Sequence, residues 1–373
     1  MALVSLSIDA ILPGLNSLAS DLGIADGNRR QWVITALFLG LAGGQLIWGP
    51  MSDSIGRRKA ILLSVAVFSA GSILSAMAQT FEAMLTGRII QGFGVAAPRT
   101  VTVAMIRDRF EGATMARLMS LIMSVFILVP VLAPGVGQLV LLIADWRVLF
   151  VFVMLFSWAA TAALLLLVPE RKIIRPAFNL RNTRAGMAMV LMDRKSMAIT
   201  VAGGCIYGAL MGYINSSEQI FHDVFDTGDL YPAYFGGLAV FMAAATVMNR
   251  TLVTRCTMHS ICSAALTAHC AWTAVFLLAQ MGTGGLGIMW FLIYSAGTLF
   301  ALGRTFGNIN AMALHPFGHI AGTAAAVQAT LLTLISLITA AVIGNLFDGT
   351  LMPVLVGYMV MGLIAVALLR ARL

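Results

Sequence analysis

Apolar runs of about 20 residues recur along the whole of this chain, and that length crosses about 30 Å of hydrocarbon at about 1.5 Å per helical residue. A water-soluble core does not repeat that length. The runs fall near residues 1–18, 32–51, 60–78, 82–104, 115–142 and 147–168, and again near 196–217, 232–249, 260–281, 286–312, 320–345 and 350–369. Lipid offers no hydrogen bonds, so each backbone group must be satisfied within its own segment and each run is expected to be a helix. Only 10% of residues are charged against 60% hydrophobic, far from the composition of a soluble domain.

The net charge of +8 raises the question of an anionic partner, which the placement of the charges answers. Seventeen of the 23 Lys and Arg residues fall on one set of alternate loops and three, Arg29, Arg30 and Arg147, on the other, with Arg88, Arg99 and Arg304 inside spans. The positive-inside rule therefore puts the first set in the cytoplasm, with both termini on that side of a cell inner membrane. No nucleic-acid partner is needed to explain the basicity; the surroundings are lipid. Residues 169–195 carry seven basic residues and divide the chain into a six-helix half (1–168), a cytoplasmic linker and a second six-helix half (196–373). Cys205, Cys256, Cys262 and Cys270 have no CxxC spacing, so neither a disulfide framework nor a zinc site is expected. Residues 1–8 lack the basic start of a cleavable signal. A first span of about 20 residues ending near Leu18 would begin before Met1, which implies a late start codon or a shortened helix.

Four segments carry polar chemistry inside or beside the spans. Between the second and third runs stands Gly49-Pro50-Met51-Ser52-Asp53-Ser54-Ile55-Gly56-Arg57-Arg58-Lys59: Gly56 permits a turn, and Arg57 can pair with Asp53. The fourth run holds Arg88-Ile89-Ile90-Gln91-Gly92 and ends in Arg107-Asp108. An arginine at that depth costs about 2.5 to 3.5 kcal/mol on insertion scales, so it should face the bundle interior with a partner. Two readings stay open for Arg88, proton coupling and bonding to backbone carbonyls for packing. The fifth run contains Pro130, Pro134, Gly135, Gly137 and Gln138, a kinked helix with room for close neighbours. The first run holds Ser7-Ile8-Asp9-Ala10-Ile11-Leu12-Pro13, and a carboxyl held in a dry site can be loaded and unloaded with a proton. The competing reading is that Asp9 lies near the outer end in water. Further along, Tyr213, Asn215 and Glu218 form a polar cluster expected at the outer mouth of the seventh run. His269 reads as a satisfied structural ring on a peripheral helix, and His315 with His319 as a hinge rather than a metal site.

These segments resemble the major facilitator superfamily. The 49–59 loop is similar to its G-x-x-x-D-[RK]-x-G-[RK]-[RK] motif, with Ser54 where the family has a base; Arg88-x-x-Gln91-Gly92 and Asp108 resemble its fourth-helix motifs, and 130–138 its antiporter motif, with Ala133 and Gln138 in place of two glycines. The first run resembles the opening of Bcr/CflA (bicyclomycin-resistance type) drug:proton antiporters. The resemblance implies an all-α, 12-helix fold of two six-helix halves with the solute site between them. It implies Gly49, Asp53, Gly56, Arg57, Arg58 and Asp108 as a conformational latch; Asp9, Arg88 and Gln91 as the proton and substrate coupling residues; and Pro130, Pro134 and Gly137 as the kink of an exporter. The expected protein is a monomeric, proton-driven exporter of apolar or cationic small molecules, with no cofactor. No GxxxxGK[ST] loop is present to bind ATP, and no nucleophile and base are paired as in an enzyme. A same-fold metabolite transporter or importer and a non-transporting membrane scaffold remain as alternatives.

Overall fold

The structure is a computed structural model that describes residues 2–24, 27–110, 129, 132–168, 180–227, 230–283, 285 and 287–371. Pro130 lies outside them. The described residues form helices and turns and no strand. In chain order the helices are α1 (Ala2–Asp9), α2 (Leu15–Asp21), α3 (Trp32–Ile55), α4 (Arg57–Ala76), α5 (Phe81–Arg107), α6 (Leu132–Leu141), α7 (Trp146–Leu167) and α8 (Leu180–Met192). They continue as α9 (Arg194–Gln219), α10 (Tyr231–Leu252), α11 (Met258–Thr283), α12 (Ile288–Gly303), α13 (Phe306–Leu314), α14 (Ala321–Asn345) and α15 (Met352–Arg370). Among the described residues, 11 stretches are long and apolar enough to cross a membrane, and the ten-residue α6 is the described part of the run expected at 115–142.

Two compact units emerge: Met1–Met189 with Ile320–Thr330, and Val190–His319 with Leu331–Leu373. Within the segment expected to be a linker, Leu180–Met192 is helical.

Three spans depart from plain helices, each for a local reason. The first extends to Asp21, 20 residues in all, and so ends later than expected. It is broken between α1 and α2, because Pro13 has no N–H to give and its ring crowds the carbonyl four residues back, that of Asp9. The chain there tightens into a 3-10 turn, Leu12–Gly14. The tenth, expected as one run, is divided at Arg304 and Thr305 into α12 and α13, where the Thr246 hydroxyl donates to the Gly303 carbonyl (3.2 Å) and Asn249 and Asn308 exchange amide hydrogen bonds (3.2 and 3.0 Å). Past α9, Ile220–Val224 widens into a π turn.

The burial pattern is that of a protein turned outward to lipid. On α7 the buried residues are Trp146, Leu149, Phe150, Val153, Ser157 and Thr161, a stripe of one helical face. The inward face thus includes two hydroxyls while Leu166 and Leu167 are 84% and 79% exposed, the arrangement that hydrocarbon outside favours.

Candidate functional site

In the first unit α5 packs along both α3 and α4. Side chains are absent where the helices meet most closely: a Cβ on Gly92 would lie 1.9 Å from the Leu37 carbonyl oxygen, and one on Gly40 would lie 1.9 Å from that of Ile89. These contacts bring backbone carbonyls within reach of Arg88, which is 1% exposed. Its Nε donates to Val33 O (2.9 Å), Nη1 to Ser7 O (3.1 Å) and to Gln91 Oε1 (2.6 Å), and Nη2 to Ser7 O (3.0 Å). Gln91 in turn donates to Ser72 Oγ (2.8 Å), and the guanidinium sits 5.6 Å from the Phe150 ring centre. One side chain thereby joins α1, α3, α4, α5 and α7. Among the described residues no carboxylate accepts from it, so the carbonyl-bonded reading describes its geometry.

Asp9 closes α1 and is 4% exposed. The reading that places it in water at the outer end is corrected. It sits at the break that Pro13 imposes, two residues from the Ser7 carbonyl that Arg88 holds. Among the described residues none donates to its carboxylate and none pairs with it. Beside the break, a Cβ on Gly137 would stand 2.0 Å from the Ala10 carbonyl oxygen, so only glycine lets α6 lie so near. Pro134 is in the same helix.

At the other end of α3, Gly56 adopts φ 103°, a conformation that side chains resist, and the chain turns directly into α4. The turn aims Arg57 at three acceptors: Asp53 Oδ1 at 2.5 Å, Ser52 Oγ at 2.5 Å and, from α5, Asp108 Oδ2 at 3.0 Å. Gly49 lies one turn before Asp53. Ser54 donates its hydroxyl back to Met51 O (2.9 Å). Arg58 does not join this cluster, contrary to expectation. It donates to Leu165 O (2.9 Å) and Val168 O, satisfying carbonyls that the end of α7 leaves without helical partners.

In the second unit Tyr213, Asn215 and Glu218 are 4%, 3% and 4% exposed. They are interior residues, not a solvated mouth, because α9 continues beyond them through the π turn. Tyr213 stacks on Phe235 (ring centres 6.3 Å apart, planes at 9°) and lies 6.3 Å from Phe291. Phe221 stacks on Tyr234 (5.7 Å) and meets Tyr231 and Phe291. Among the described residues the Tyr213 hydroxyl and Asn215 Oδ1 have no hydrogen-bond partner. His269 is also buried, with its ring edge-on to Tyr358 at 5.5 Å, so its peripheral placement is corrected as well. This aromatic interior escaped the sequence reading. The spacing Tyr231, Tyr234, Phe235, one turn repeated at the start of a span, was its available signal. Among the described residues no group of three His, Cys, Asp or Glu is placed to hold a metal.

A family model described as the Major Facilitator Superfamily matches residues 1–340. The chain is 28% identical over 348 residues to an uncharacterized MFS-type transporter, YdgK, of Bacillus subtilis (strain 168), covering 91% of this chain and 85% of that one. It is 26% identical over 326 residues to the Bicyclomycin resistance protein homolog of Haemophilus influenzae, covering 85% and 80%. Among solved structures, the xylose transporter XylE from E. coli aligns with a TM-score of 0.72 at 15% identity, covering 98% of this chain and 94% of that one, a likeness of fold.

Proposed function

Because this chain belongs to the Major Facilitator Superfamily and is a multi-pass membrane transporter rather than an enzyme, we propose that it exports drugs or other small amphipathic molecules in exchange for protons, by alternating access. The observation that carries the reading is Asp9, a buried carboxyl at a helix break with no ion-pair or hydrogen-bond partner among the described residues. Burying a bare carboxylate costs far more than burying the acid. Such a group is occupied by a proton or by a cationic cargo, and competition between the two couples their movements in opposite directions. Arg88 and Gln91 hold α1 and its neighbours around that carboxyl, and Gly137 brings α6 against the break.

Further support comes from the relative named for bicyclomycin resistance. The rings around Tyr213 and Phe291 offer an apolar, stackable wall, with the Tyr213 hydroxyl and Asn215 Oδ1 available to orient a cargo. In this reading, following the positive-inside rule, the Arg57 cluster and both termini face the cytoplasm of a cell with an inner membrane. There the Arg57 bridge between Asp53 and Asp108 serves as a latch. We take the working unit to be a monomer that needs no cofactor besides the proton gradient.

Purified protein in proteoliposomes with an imposed pH gradient tests this reading. Addition of cationic, apolar compounds should release protons in proportion to cargo moved. Asp9→Asn should abolish that exchange while the protein stays monodisperse and helical. Coupled exchange that survives Asp9→Asn removes the carboxyl from the mechanism, and proton movement driven only by metabolites would assign a different cargo class.

A further inference from the structure

On the outer face of the second unit, α11 and the end of α15 enclose a groove of about 660 Å3 lined by His259, Ser260, Ala264, Thr267, Ala268 and Arg370, among others. Its origin is compositional. Where Val275 and Leu278 further along α11 project outward, 60% and 71% exposed, the exposed residues of the preceding turns are Ser260, Ala264, Thr267, Ala268 and Ala271, and their short side chains leave a furrow. The neighbouring face of α15 is apolar and open, with Val360 and Leu363 43% and 54% exposed. The furrow therefore lies on the surface that meets acyl chains.

One end of the furrow is different in kind. His259 bonds Leu369 O through its ring (3.3 Å), and Arg370 donates to Thr267 Oγ1 (3.1 Å), two turns further along α11, which fixes the guanidinium beside Thr267. A guanidinium has five N–H donors, and among the described residues Thr267 is the acceptor that Arg370 reaches. Arg370 is exposed and enters no ion pair among them. Arg250 and Arg255, also exposed, lie at the same end of α10 and α11. An open groove with a guanidinium beside Thr267 and small apolar side chains beyond it, at Ala268 and Ala271, is complementary to one class of molecule. We infer that it is a binding site for an anionic phospholipid, whose phosphate is taken by Arg370 beside Thr267 and whose acyl chain lies along Ala268 and Ala271. Basic pockets between helices on the cytoplasmic side of membrane proteins hold acidic headgroups by this chemistry. The alternative occupant is a second copy of the chain, since small residues four apart also suit helix association.

The test uses the full-length protein released from mixed vesicles of phosphatidylglycerol and phosphatidylcholine and observed by native mass spectrometry. Retained phosphatidylglycerol should exceed retained phosphatidylcholine by about fivefold, the worth of one basic residue close to an anionic headgroup. Arg370→Ala should abolish that preference, and Ala268→Phe, which leaves the charge but fills the furrow, should reduce retention of both lipids. Melting temperature checks that both variants fold. Equal retention of the two lipids by the unaltered protein overturns the site, as does a preference unchanged in both variants. A dimer that persists without added lipid and dissociates in Ala268→Phe would assign the furrow to a second copy instead. Proton exchange is not read in any arm, so the result is independent of the proposed transport cycle.

Discussion

Arg88 in the first unit and His269 in the second are each 1% exposed, yet they are buried in opposite ways. Arg88 gives four hydrogen bonds to two backbone carbonyls and a glutamine. His269 has no such network, and rests edge-on against the Tyr358 ring. The contrast extends to their surroundings. Around Arg88 the guanidinium, Gln91 and Ser72 form one hydrogen-bonded chain that touches five helices. Around Tyr213 and Phe291 the interior is built of rings, whose contacts are non-directional, with polar atoms left over. A matched network admits one arrangement, whereas stacked rings tolerate several. We read the first unit as the part that fixes geometry and the second as the part that adapts to what is carried.

The largest expected effect tests the matched side. Arg88→Met should leave the Ser7 carbonyl, in the last turn of α1, buried without its side-chain donor at about 1 to 3 kcal/mol and remove the second donor from Val33, and thermal unfolding in detergent should show the greatest loss of these changes. Arg88→Lys should recover a fraction, because an ammonium lacks the planar fork that reaches both carbonyls. If Arg88→Met melts no earlier than a lipid-facing change such as Leu167→Ala, the network is not what holds these helices.

A smaller effect concerns rate. Arg57→Ala removes the bridge from Asp53 to Asp108 on a partly exposed surface, where ion pairs contribute about 1 kcal/mol or less. Stability should fall slightly, while fluorescence measurements of conformational exchange should show slowed switching at unchanged cargo affinity. Weakened affinity with an unchanged switching rate would move Arg57 from the latch to the binding site.

The smallest effect in stability tests the adaptable side. Tyr213→Phe deletes a buried hydroxyl that has no partner, so the melting temperature should hold or rise, whereas apparent affinity should fall for cargoes able to hydrogen-bond and stay the same for those that cannot. A clear loss of stability would show that the hydroxyl is satisfied, for instance by buried water, and would weaken the contrast between the units.

Much of this molecule follows from sequence because lipid imposes simple rules. Run length gives the helices, the alternation of basic loops gives an expected orientation, and the turn at Gly56 with the Asp53–Arg57 pair follows from a compact local motif, whereas Asp108, on another helix, came with the family resemblance. Pro13 determines that the first span breaks, and the rule that charge inside a membrane must be partnered makes Arg88 a residue to watch. Tertiary structure decided the partners. Carbonyls of α1 and α3 rather than a carboxylate surround Arg88; the glycine contacts at Gly92 and Gly40 bring the α3 backbone close, and glycine spacing does not name its neighbour. Arg58 was drawn to the end of α7 by carbonyls far along the chain. Tyr213, Asn215, Glu218 and His269 were placed in the interior by the rings of other helices. Backbone hydrogen bonding and hydrophobic length act within one segment and can be read there, whereas burial and partnership are made between segments and belong to the folded whole.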